Sequence, residues 1–235
     1  MRAVILAAGA GKRLRPLTNY IPKPLLPISG KPVIGEIAKN LMKLDVQELI
    51  VVIGPKGRGD EIKRYLSRFN VPISYVTQDS PMGTAHALSA AAGKMDGDVL
   101  VTAGDSVYPQ SHYKALYAAF VKEDLDAALS LKVLDKKQMR ESSTVKIGED
   151  GCILKVIEKP SDKEMLSEMA CGPLHIFKES IKDYLKVKKS KRGEYELADA
   201  MQMMIDDGLK VKGVVAKKWK HLSSIEDFVR MNLLP

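Results

Sequence analysis

The apolar run Ala3-Val4-Ile5-Leu6 breaks directly into Ala7-Ala8-Gly9-Ala10-Gly11-Lys12-Arg13. A buried strand followed at once by a glycine turn points to an open α/β sheet, in which ligands are held at the carboxyl ends of the strands. The two glycines let backbone N–H groups approach an anion with no Cβ in the way. Arg15 and Lys23 add to the cations of Lys12 and Arg13, and Pro16, Pro22, Pro24, Pro27 and Pro32 punctuate the segment. Cations carried on such a loop suit a polyphosphate. Two other phosphate loops do not match. A dinucleotide fingerprint needs glycine where Leu14 stands, and a P-loop needs Ser or Thr where Arg13 follows Lys12.

The 235 residues are 45% hydrophobic and 28% charged, the composition of a folded domain with a sizeable core. No apolar run is long enough to cross a bilayer. Met1 leads straight into a strand without the pattern of a signal peptide, so a cytoplasmic location is expected. The net charge of +8 raises the question of nucleic acid. However, the lysines are scattered, aromatics make up 6%, and no stacking motif or basic helix joins them. The densest cluster, Lys186 to Arg192, reads as a solvated helix end and loop. Cys152 and Cys171 lie in apolar strand contexts without metal-ligand spacing and read as reduced core residues.

Strand patterns at 3–6, 49–53, 73–76, 99–103 and 127–134 alternate with helical patterns at 33–44, 59–69, 84–94 and 111–122. This alternation predicts a largely parallel sheet with right-handed crossovers. The second half predicts short strands at 144–147, 152–157 and 170–177, and helices over 180–187, 195–207 and 224–233.

The glycine and proline loop is followed, in order, by Gln78 with Gly83-Thr84-Ala85, then Gly104-Asp105, Glu158-Lys159-Pro160, Gly172, Arg192-Gly193-Glu194 with Asp199, and Trp219. Together these resemble the signature of the sugar-1-phosphate nucleotidyltransferases. No hexapeptide repeat is present, so the resemblance is to a short form without a β-helix domain. It implies an α/β, Rossmann-like three-layer sandwich with a mostly parallel mixed sheet and a small sugar-binding lid subdomain. The implied organisation is one domain over 1–235, with a nucleotide-binding half to about 134 and a sugar-phosphate half from about 135. The implied partners are an NTP and a sugar 1-phosphate, with no nucleic acid and no membrane; a homo-oligomer is left open. UTP or dTTP and glucose 1-phosphate are the expected substrates. Cytidylyl transfer from CTP and guanylyl transfer to mannose or heptose 1-phosphate share the chemistry, and a nonreactive nucleotide-sugar-binding regulatory protein is the alternative of another class.

The resemblance also implies roles. Ala8, Gly9, Gly11 and Lys12 would cradle the nucleotide, Arg13 would steady the leaving pyrophosphate, and Lys23 would lie near the transferring α-phosphate. Asp105 would bind magnesium, with manganese or another divalent ion as the alternative; one carboxylate can suffice when phosphate oxygens and water complete the shell. Gln78 would read the base, because its amide offers a donor and an acceptor to a pyrimidine edge, with Gly83 and Thr84 closing on it. Glu158, Lys159, Gly172 and Arg192 would hold the sugar phosphate. His221 stands where the family has a second metal-binding aspartate, and Ser106 where many relatives have asparagine. An imidazole suits transition metals better than magnesium. His221 is therefore either a ligand for such an ion, a replacement in an enzyme that works with Asp105 alone, or the mark of a nonreactive binder.

Overall fold

The computed structural model describes residues 1–55 and 57–233. In chain order its strands are β1 (Arg2–Ala7), β2 (Pro27–Ile28), β3 (Lys31–Pro32), β4 (Leu49–Ile53), β5 (Ile73–Thr77), β6 (Val99–Ala103), β7 (Ser106–Val107), β8 (Ala127–Val133), β9 (Ser143–Ile147), β10 (Ile153–Glu158), β11 (Met169–Phe177), β12 (Val211–Val215) and β13 (Lys220–His221). The helices are α1 (Val33–Met42), α2 (Arg58–Leu66), α3 (Thr84–Ala91), α4 (Gln110–Lys122), α5 (Lys136–Met139), α6 (Leu197–Asp206) and α7 (Ile225–Leu233).

A seven-stranded sheet runs in the order β12-β8-β11-β6-β1-β4-β5. Only β11 is antiparallel to its neighbours, so the sheet is mixed and mostly parallel, as expected. The side-chain period of two divides each central strand between two cores. Ala3, Ile5 and Ala7 of β1, with Leu49, Val51 and Ile53 of β4, join the core under α1, α2 and α4. Val4, Ile50 and Val52 join the opposite core with α3 and α6. Strands buried on both faces read as continuous apolar runs, which is why LIVVI at 49–53 and VLVTA at 99–103 are plain in the sequence.

The register fixes what meets at the functional edge. Ala7 pairs with Ile53, Ile53 with Thr77, and Leu6 with Ala103. The next residues, Ala8-Gly9, Gln78 and Gly104-Asp105, therefore leave the sheet on one edge. Gly104 donates its N–H to Leu6 O at 2.9 Å. A Cβ there would come within 3.3 Å of Ala7, so the glycine keeps Asp105 close against β1.

Several sequence expectations need correction. The segment expected as a helix over 180–187 is a 3-10 turn over Glu179–Tyr184, and the helix expected from 195 begins at Leu197. The helix expected over 84–94 ends at Ala91 and tightens into a 3-10 turn at Ala92–Lys94. Cys171 is buried in β11, but Cys152 precedes β10 and is only half-buried. The edge strand β12 is not anticipated from the sequence; its Gly213 packs closely, since a Cβ there would lie 2.2 Å from a methyl of Leu131.

Candidate active site

Lys23 and Asp105 form the centre of the site. The 3-10 turn Lys23–Leu25 follows Pro22, whose restricted φ helps set the turn. The Lys23 ammonium reaches 82 residues along the chain to donate to Asp105 Oδ2. Burial alone would raise the Asp105 carboxyl, but the Lys23 ammonium and the His221 ring hold it well below the usual carboxylate range. Gly11, with φ +63°, leads into the same loop. A Cβ on it would approach the Thr18 methyl to 2.9 Å and Lys23 Cβ to 3.1 Å, and Thr18 Oγ1 donates to Gly11 O at 2.8 Å. Gly9 is exposed with nothing near its missing side chain, so its backbone is open to approach.

Lys12 and Arg13 form an exposed 3-10 turn after that glycine. Arg13, to which the resemblance gives the leaving pyrophosphate, pairs in the structure with Glu141, 128 residues away. Both partners are more than half exposed, at 55% and 66%, so an anion can displace this contact at little cost.

The short antiparallel pairing of β7 with β13 places His221 opposite Ser106. Ser106 Oγ donates to Asp105 Oδ1 at 3.1 Å and lies 2.7 Å from His221 Nδ1. The fold therefore brings His221, where the resemblance implies a second carboxylate, to the side of Asp105.

Gln78 is buried at the end of β5. Its Nε2 donates to Gly83 O at 3.3 Å and lies 2.8 Å from His86 Nδ1. The sequence reading offered both halves of this amide to a ligand. The nitrogen is engaged within the protein, which leaves Oε1 as the acceptor available among the described residues. Gly83, at φ +108°, touches the Tyr195 backbone, where a Cβ would lie 2.3 Å from the carbonyl oxygen. Thr84 Oγ1 accepts the Leu197 N–H at 2.9 Å. The Gly83-Thr84 turn is thus bolted to the segment that carries Arg192.

On the far side of Asp105, Glu158 ends β10 and Lys159 takes φ +45° while donating its N–H to Ser142 O at 2.6 Å. Burial, reinforced by Glu196, pushes the Glu158 carboxyl up to about 7, against the pull of Lys159 and Arg192. Arg192 donates to Glu194 at 2.5 Å and to Glu196 at 2.8 Å. Gly172 is buried in β11, and its missing side chain is replaced by Tyr108, whose hydroxyl would meet a Cβ at 2.2 Å. The glycine thus makes room for Tyr108, whatever part it has in holding the sugar phosphate. Sequence reasoning also missed His86, Glu141 and Lys132. Their partners lie far along the chain or on another element, and no local pattern marks them.

The fold and this edge define a nucleotide-type α/β transferase, and comparison with known proteins agrees. The nucleotidyl transferase family matches residues 2–234, and the chain belongs to that family. It is 31% identical over 240 residues to the low-salt glycan biosynthesis nucleotidyltransferase Agl11 of Haloferax volcanii, covering 100% of this chain and 66% of that one. It is also 31% identical over 222 residues to the UTP–glucose-1-phosphate uridylyltransferase AglF of the same organism, covering 94% and 90%. The chain spans between about half and two thirds of the length of the first curated relatives it matches, 54% to 66%. A crystal structure of UDP-glucose pyrophosphorylase complexed with UDP-glucose shares the fold, with a TM-score of 0.86 at 20% identity over 98% of this chain and 96% of that one. No helix among the described residues is long and apolar enough to cross a membrane.

Proposed function

We propose that this protein transfers a nucleotidyl group from an NTP to a sugar 1-phosphate and releases pyrophosphate, with UTP or dTTP and glucose 1-phosphate as the preferred pair. The observation that carries this reading is the pairing of Lys23 with Asp105 at the common edge of β1 and β6; Gln78 would then serve the base, and Glu158, Lys159 and Arg192 the acceptor. AglF, which carries uridylyl transfer to glucose 1-phosphate in its name, supports it.

A sugar 1-phosphate oxygen attacks the α-phosphorus, a P–O bond forms, and the bond to the β-phosphate oxygen breaks. The nucleophile is already an anion at neutral pH, so no general base is required. The residues instead screen two anions and hold them in line. Lys23 sits against the α-phosphate, Arg13 exchanges Glu141 for the departing pyrophosphate, and Lys159 with Arg192 holds the acceptor phosphate. Glu158 exchanges hydrogen bonds with sugar hydroxyls. With Nε2 engaged, Gln78 Oε1 accepts an N–H from the base, as the uracil or thymine imide supplies.

The donor set suits a substrate-bridged divalent ion better than a resident one. Among the described residues no group of three or more His, Cys, Asp or Glu is arranged to hold a metal. Asp105 would contribute an oxygen, with phosphate oxygens and water filling the remaining positions, a mode that fits magnesium. When bound, such an ion would neutralise charge on the α-phosphate and orient it.

Pyrophosphate release measured with a panel of triphosphates and sugar phosphates tests the proposal. Release with UTP or dTTP and glucose 1-phosphate is expected. Tight nucleotide-sugar binding without release under any combination would favour the regulatory binder instead.

A further inference from the structure

Arg13 and Glu141 both line a cleft of about 1470 Å³ that also takes in His221. His221 Nδ1 lies 3.6 Å from Asp105 Oδ1, so the cleft opens onto the centre formed by Lys23 and Asp105. Glu158, Lys159 and Arg192 are not among its lining residues. On the nucleotidyl-transfer reading the cleft is therefore the leaving-group side of that centre. Among the described residues Glu141 is the one carboxylate within ion-pair distance of Arg13.

The two partners are held unequally. Glu141 follows α5, whose first turn is capped by Asp135 accepting the Gln138 N–H at 2.8 Å. Met139, at the end of α5, is buried in a small core with Leu134 and Ala170. Arg140 donates twice to Asp162, at 2.7 and 2.8 Å. On the other side of Glu141, Ser142 O accepts the Lys159 N–H at 2.6 Å, and Ser143 pairs with Glu158 in the register of β9 and β10. Arg13 instead lies on the exposed 3-10 turn of the glycine loop. The carboxylate is fixed, and the guanidinium is the arm that moves. A carboxylate tethered beside Arg13 is always at hand, at the high effective concentration of an intramolecular partner. A phosphate oxygen can take the guanidinium only by displacing it.

We infer that Glu141 is an internal competitor of pyrophosphate. It holds Arg13 while the cleft is empty, yields it to the β- and γ-phosphates of the nucleotide, and recaptures it as pyrophosphate leaves. This rests on the nucleotidyl-transfer reading of the cleft. Triphosphate and pyrophosphate both engage Arg13, so Glu141 weakens both by the same factor and leaves the overall equilibrium of the reaction unchanged. Ligands without those two phosphates, the nucleotide-sugar product among them, are spared. The gain lies in release, because a more tightly held pyrophosphate leaves more slowly.

Calorimetry of the whole protein with pyrophosphate and with UDP-glucose, each in the presence of magnesium, tests this. Glu141→Gln should bind pyrophosphate about threefold tighter than the wild type, the scale of one exposed ion pair, with affinity for UDP-glucose within about 1.5-fold. Asp162→Asn removes a neighbouring negative charge that pairs with Arg140 and not with Arg13. It controls for net charge and should leave pyrophosphate affinity unchanged. In an Arg13→Ala background, Glu141→Gln should have no effect on pyrophosphate. Unchanged pyrophosphate affinity in Glu141→Gln overturns the inference. So does an equal gain in Asp162→Asn, a gain that extends to UDP-glucose, or one that persists without Arg13. A wild type that binds both ligands leaves the nucleotidyl-transfer reading standing in each of those cases, and a wild type that binds neither overturns both.

Discussion

Ser106 Oγ lies 2.7 Å from His221 Nδ1 and donates its single proton to Asp105 Oδ1 at 3.1 Å. A hydroxyl that gives away its proton must accept at its other contact, so Nδ1 of His221 carries a hydrogen. The ring is thereby held as a donor facing Asp105, with Nδ1 3.6 Å from Oδ1. An aspartate there would face the same point as an acceptor.

The first prediction follows from that polarity. Magnesium should support turnover through Asp105 and the substrate phosphates, with weak binding when nucleotide is absent. His221→Asp should lower the magnesium concentration needed for half-activation. Metal titrations of both proteins check this; a wild type that prefers manganese, cobalt or zinc and loses the preference on substitution would instead make His221 a ligand.

Lys23 and Asp105 are each largely buried, with side chains 13% and 19% exposed. Lys23→Met leaves a buried carboxylate without its cation and should destabilise the fold by about 3 kcal/mol at pH 7. Lys23→Met combined with Asp105→Asn should recover much of that loss, because the uncompensated charge is gone. Denaturant melts of the two single variants and the double variant give the coupling, and additive losses would contradict it.

Arg13→Ala should behave differently, because its partner Glu141 is exposed. Stability should change by about 1 kcal/mol or less, while turnover should fall by ~10²–10³ through the loss of one contact to the leaving group. Glu141→Gln, which frees Arg13, should leave turnover near the wild-type value. Near-normal turnover in Arg13→Ala would remove Arg13 from the catalytic set.

Gln78→Ala should weaken discrimination between pyrimidine and purine triphosphates more than dependence on the sugar phosphate. Because His86 Nδ1 orients the amide, His86→Ala should produce a milder version of the same change. Ratios of kcat/KM across the four triphosphates provide the check, and an unchanged ratio in Gln78→Ala counts against the assignment.

Glu158 titrates near 7 in the folded chain, above an ordinary carboxyl near 4.5. A raised carboxyl means that the folded state holds the proton more tightly. Its contribution is complete below about pH 4.5 and is lost as pH rises through about 7, amounting to roughly 1–3 kcal/mol. Glu158→Gln should flatten that part of the stability profile between pH 5 and 7. Urea melts across this range will show whether the slope belongs to Glu158.

The sequence by itself determined the largely parallel character of the core and the place of the loop that serves it. Strands buried on both faces must be continuously apolar, and the residues that follow them, Gly9, Gln78 and Asp105, must emerge at one edge once those strands are parallel and in register. These are local consequences of composition and period, so one chain suffices to read them. The partners of those residues depended on tertiary structure alone. Arg13 meets Glu141, Lys23 meets Asp105, and Gly83 meets Tyr195 across separations that no sequence period encodes. Gly172 reads as a ligand glycine in the sequence, but it makes room for Tyr108, as Gly213 does for Leu131.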